Sequence, residues 1–127
     1  MSAPVRVRSN PALSSLIDSL RLPDGGFTVQ PFLGHRPTDG YAVSVFPEAE
    51  RVYPSVSPQA LAAYLHHWSL LLHEPDNFLG GWHNPESHLI HLDISRVVHT
   101  RIEALLLAQI HHQAAYFDIA AGQSVYV

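Results

Sequence analysis

The chain contains no cysteine. Disulfides, thiolate zinc sites and cysteine nucleophiles are therefore excluded, and a reduced, cytosolic setting is expected. Lysine is absent as well. All seven basic residues are arginines, at positions 6, 8, 21, 36, 51, 96 and 101. That removes a Schiff-base lysine and a phosphate-loop lysine from consideration. Exclusive use of arginine fits a GC-rich coding sequence, as in a high-GC bacterium or one of its phages. Charge of either sign is sparse, at 14% of residues, and sums to −4. No basic block exists, and nucleic-acid binding depends on neutralising phosphates, so nucleic acid is not an expected partner. No apolar run reaches the length of about 18 residues that a membrane-spanning helix needs. Met1 to Asn10 leads into no continuous apolar stretch, so no secretory signal is expected.

What is present describes one globular domain. The chain has 127 residues, 46% of them hydrophobic. That is enough for a single core without staples and too apolar for disorder. Ten histidines would make the net charge positive below about pH 6.

Residues 1–9 are expected to form a flexible arm, and 10–127 the domain. Asn10-Pro11 is a helix start, and Leu13, Leu16, Ile17 and Leu20 give a short helix over 11–20. Phe27 to Phe32 and Tyr41 to Phe46 read as a first hairpin with a long connection. A linker covers 48–56. Ser57-Pro58 opens a helix running toward Pro75, with Leu61, Tyr64, Leu65, Trp68, Leu71 and Leu72 as its buried stripe. A second hairpin pairs Phe78–His83 with a return strand on which Ile90, Leu92 and Ile94 share one face and His91, Asp93 and Ser95 the other. Thr100-Arg-Ile-Glu103 is a capping box. It starts a helix whose core stripe is expected to be Ile102, Leu105, Leu106 and Ile110. A third hairpin joins 115–119 to 124–127. The expected fold is α+β: a single antiparallel (or mixed) sheet of five or six strands built from three hairpins. Two long helices and one short N-terminal helix cover one face.

Four phrases carry a resemblance: Pro37 to Glu48, Phe78 to Glu86, Leu92 to Val98 and Gln113 to Ile119. They resemble a family of small, uncharacterised proteins from actinobacterial phages and mobile elements, over about residues 24–127. The resemblance implies an accessory protein acting inside a bacterial cell. It assigns no catalytic residue.

No nucleophile–base motif, phosphate loop or strong metal signature is present. Without cysteine, zinc would need histidine nitrogens and carboxylates. His83, His91 and Asp93 are the candidate set, for metal or for histidine acid–base chemistry; His88, three residues from His91, points the other way in a strand. His66-His67, His73 and His111-His112 are expected on helices, at the borders of the sheet-facing stripe. Asp93, Asp118 and Glu103 are the acids nearest structured elements. Arg36 and Asp39 flank the loop Gly34 to Gly40, and Arg36, Arg51 and Arg96 have the planar fork that binds phosphate or carboxylate. Trp82 and Tyr41 are candidate interface aromatics, and Gly80-Gly81 permits close approach of a backbone or ligand.

The expectation is a non-enzymatic protein-binding module acting on a host or phage protein, with no cofactor. Its binding residues would be Arg36, Asp39, Tyr41, Trp82, His83, His91, Asp93 and Arg96. A homodimer through the edge strand Val125 to Val127 is a side expectation. One alternative is a small hydrolase or nuclease using His83, His91 and Asp93, with or without a metal. Another is a nucleotide-like ligand sequestered by Trp82, Tyr41 and Arg36.

Overall fold

Strand β7, Ile90–Val98, is the longest element of the sheet and organises the rest. The structure, a computed structural model, describes residues 7–9 and 13–127. Along one edge β7 pairs with β6, Asn77–His83, from Asn77 opposite Arg96 to His83 opposite Ile90. Along its other edge lie two strands end to end. β4, Tyr41–Ser44, covers Ser95 to Val98, and β5, Arg51–Tyr53, covers Ile90 to Leu92. A 3-10 turn at Pro47–Ala49 separates them, and Val45 N donates to Ile94 O across the gap at 3.3 Å. β2, Gly26–Val29, adds outside β6; β8, Ala115–Asp118, adds outside β4; and β9, Gln123–Tyr126, closes that edge. Every pairing in this seven-stranded sheet is antiparallel. A separate ribbon pairs β1, Val7–Ser9, with β3, His35–Pro37. Among the described residues the fold is thus α+β, with one curled antiparallel sheet and four helices.

The hairpins β6–β7 and β8–β9 form. Asn84 Oδ1 holds the turn of the first by accepting from Glu86 N at 2.9 Å, an Asx turn. The N-terminal hairpin does not form, because β2 and β4 are separated by β6 and β7. The cause is Gln30, whose side chain is buried. Its Nε2 donates to the carbonyls of Leu72, Glu74 and Asn77, and its Oε1 accepts from Phe32 N and Leu33 N. These bonds tie the end of β2 to the chain entering β6, so β2 joins β6. The expected linker over 48–56 likewise contains a strand, β5.

The helix start at Asn10-Pro11 lies outside the described residues; helix α1 spans Leu13–Ser19 and buries Leu16. Ser57 caps helix α2, Pro58–His67, by accepting from Ala60 N at 3.1 Å. The single helix expected as far as Pro75 is broken at Trp68, whose ψ of 20° leaves helical geometry. Helix α3, Ser69–Leu72, follows. Leu61, Tyr64 and Leu72 pack with Val29, Leu79, Leu92 and Ile94 in the larger core cluster. Each fully buried aliphatic there contributes roughly 1.5–3 kcal/mol.

Helix α4, Arg101–Ile110, begins as expected: Thr100 Oγ1 accepts from Glu103 N at 3.2 Å. Glu103 Oε1 accepts from the same hydroxyl at 3.0 Å. Its buried face is not the expected one. Ile102, Leu105, Leu106 and Ile110 are 72%, 39%, 54% and 67% exposed, while Ala104 and Ala108 are fully buried. Val43, Val45 and Tyr116 already fill the space under this helix. Only alanines let its backbone approach that closely, so the larger residues turn outward. Among the described residues, no helix is long and apolar enough to cross a membrane.

Candidate functional site

Alternation along β7 divides the chemistry of the molecule. Ile90, Leu92 and Ile94 are buried in the core face. His91, Asp93 and Ser95 therefore project to the opposite face, where they line a cleft of about 420 Å³. Gly26 and Thr28 of β2 line it at one end, and Phe117 and Ser124 of β8 and β9 at the other. On a flat sheet β2 and β8, four strand steps apart, would be roughly 19 Å apart. One cleft touches both because the sheet curls around it.

Asp93 lies on the floor of this cleft. Its cross-strand partner is Gly80, and a Cβ at Gly80 would collide with Asp93 Oδ1. The glycine is what makes room for the carboxylate. Gly81 serves the other face, where a Cβ would meet the Phe27 ring at 2.5 Å. The doublet thus admits side chains rather than another backbone. Ser95 Oγ donates to Asp93 Oδ1 at 3.1 Å. Burial pushes the Asp93 carboxyl up to about 6; the Ser95 bond and His91 pull the other way, while the charge of Glu50 adds to the rise. Burial and the charge of Asp93 also raise the Tyr64 phenol, which donates to Ala49 O at 2.8 Å.

Glu50, just before β5, also lines the cleft, with its Oε1 3.7 Å from His91 Nδ1. The His91 ring packs on Trp82 with centroids 5.7 Å apart. Trp82 is held in place by its indole N–H, which donates to Asp24 Oδ1 at 2.8 Å. Ser44 also belongs to the lining, and its Oγ is buried with no hydrogen-bond partner among the described residues. Among the described residues, three carboxylates belong to the lining, Glu50, Glu86 and Asp93, and no arginine does.

Of the sequence-derived candidates, Trp82, His91 and Asp93 come together here. His83 does not. It pairs with Ile90 on the core-facing side, and its Nδ1–H donates to Leu20 O at 2.7 Å. With Ile17 and Leu20 it lines a second depression of about 580 Å³ between α1 and the start of α2. The set His83, His91 and Asp93 is therefore split by the sheet, and no group of three or more histidine or acidic side chains positioned for a metal ion occurs among the described residues. Tyr41 packs edge-on against Tyr116 and bonds Arg101 through its hydroxyl. Arg96 donates to Asn77 Oδ1 at 3.4 Å, and Arg51 lies over Trp68 at 5.6 Å. Arg36 is on β3, in the separate ribbon, with Asp39 in the loop that follows. Of Trp82, Tyr41 and Arg36, only Trp82 lines the cleft. Asp118 and Glu103 serve a turn and a cap. Sequence reasoning missed Glu50, which reaches the cleft only because β5 docks on β7. It also missed Ser44, which stands opposite Ser95 across β4 and β7.

No protein-family model matches the chain, and neither a curated protein nor a solved structure shows significant similarity to it.

Proposed function

We propose that this protein is a non-enzymatic binding module, an accessory protein of a phage or mobile element, whose helix-free concave face receives its partner. The observation that carries this reading is the division of the sheet. The helices bury one face, and the other curls into a cleft lined by Trp82, His91 and Asp93. A volume of about 420 Å³ falls in the range of ligand-receiving pockets. A host or phage protein is the partner class expected from the sequence. A nucleotide-like ligand finds no support, because among the described residues its phosphates would meet carboxylates and no arginine.

The test compares affinity capture from host lysate by the intact chain with capture by two variants. Ser124→Trp fills one end of the cleft; Leu106→Gln alters only the outer face of α4. A partner retained by L106Q and lost by S124W is the expected result. Equal capture by all three refutes the concave face as the binding face.

A hydrolytic reading rests on Asp93, whose raised carboxyl is the form a general acid needs. Hydrolysis of RNA or ester substrates, abolished in Asp93→Asn, would replace the binding reading.

A further inference from the structure

We propose that the cleft is a site for an organic cation, an amine or guanidinium carried on an aliphatic or aromatic body. This rests on the concave face being the binding face and specifies what it holds. The polar groups of the lining are matched to positive charge. Asp93, Glu50 and Glu86 are carboxylates, His91 lies beside Glu50, and no arginine is among the described residues that line the cleft. Among the described residues the floor carboxylate accepts from one side-chain donor, Ser95. Two carboxylate oxygens accept about four hydrogen bonds, so most of the acceptor capacity of Asp93 is left for a ligand.

The walls suit the body of such a ligand. The side chains of Trp82 and Phe117 stand on the cleft face and line it. The indole N–H of Trp82 is already engaged by Asp24, which fixes the ring and leaves its face to pack against apolar groups or attract a cation.

The cleft should also sense pH. The groups beside Asp93 on the cleft face are Ser95 and His91 on its own strand and Glu50 beside β5, and Tyr64 of α2 couples to it from the core side. As pH rises through about 6, Asp93 ionises, and cation binding strengthens.

The test is isothermal titration of the full chain with agmatine, with tryptamine, with the peptide Gly-Arg-Gly and with indole-3-acetate. Variants Asp93→Asn and Glu50→Gln are checked for folding by circular dichroism, with L106Q as control. Binding of at least one cation is expected, weakened about tenfold or more in D93N or E50Q, unchanged in L106Q and weaker at pH 5 than at pH 7.5. Indole-3-acetate should not bind. Free agmatine or tryptamine binding identifies a metabolite as the source of the cation; binding of the peptide alone identifies an arginine side chain of a protein. Absence of binding by all three cations, equal binding of indole-3-acetate, or cation binding that both carboxylate variants leave unchanged overturns the inference. If the cations fail while partner capture remains sensitive to S124W, the cation site falls and the binding face stands. If capture is also insensitive, both fall.

Discussion

The carboxylate of Asp93 occupies the space that a side chain on Gly80, its partner across β6 and β7, would fill. A charged group is thereby seated against the sheet rather than swung into water. The neighbouring glycine, Gly81, does the same for the Phe27 ring on the core side.

Substitution at these two glycines should therefore have different effects. In Gly80→Ala the obstructed atom is the end of a flexible side chain, so Asp93 swings outward and its pKa falls from about 6 toward the ordinary carboxylate range. Stability changes by less than about 1 kcal/mol. In Gly81→Ala a ring packed on the core must move, and overpacking of this kind costs about 1–3 kcal/mol. NMR titration of Asp93 and urea denaturation distinguish the two; an unmoved Asp93 pKa in G80A would contradict the assigned geometry.

Asp93 also makes stability depend on pH, in the opposite sense to a salt-bridged acid. Its folded pKa, about 6, exceeds its ordinary value of 3.8. Between these values the folded state binds more protons than the unfolded one, so this group's contribution to stability falls as pH rises from about 4 to 6. Asp93→Asn removes that loss. At pH 7.5 the variant should be more stable than the wild type by about 1–2 kcal/mol, with the difference shrinking at pH 4. Chemical denaturation at the two pH values measures it. A variant less stable at pH 7.5 than at pH 4, relative to wild type, would contradict this reading.

Gln30 supplies the clearest stability test. Its side chain is fully buried and bonds both strand ends of a long-range contact. Gln30→Leu leaves several backbone groups unpaired in the interior, at about 1–3 kcal/mol for each that finds no water. A loss of about 3 kcal/mol in urea denaturation is expected, and a loss below 1 kcal/mol would mean that these bonds do not direct β2 to β6.

Helix α4 should tolerate change on the side where its large residues lie. Ile102→Gln and Leu106→Gln, at exposed positions, should each alter stability by no more than about 0.5 kcal/mol. Ala108→Leu, under the helix, should cost about 1–3 kcal/mol. Thermal unfolding of the three variants gives the ranking directly.

These examples also show which parts of the molecule local sequence determines. The burial of Ile90, Leu92 and Ile94 was legible because strict alternation admits one orientation of a strand. The caps at Ser57 and Thr100 were legible because they involve neighbours in the chain. Helix α4 was misread because hydrophobicity marks the larger side chain, whereas close packing on Val43, Val45 and Tyr116 selects the smaller. The position of β2 was illegible because it depends on Gln30 reaching carbonyls more than forty residues away. For the cleft, Trp82, His91 and Asp93 could be found from the face they share. Glu50, Ser44 and the far wall at Phe117 could not, since curling and the docking of β5 bring them there.

Strand β7 borders β6 on one side and both β5 and β4 on the other, and it contributes side chains to each of the two hydrophobic clusters. Neither half of the molecule can open without stripping this shared strand. Its amides are thus expected to exchange with solvent deuterium only through global unfolding, slowest of all and at a common rate from Leu92 to Val97, whereas β9, flanked on one side alone, exchanges through its own fraying.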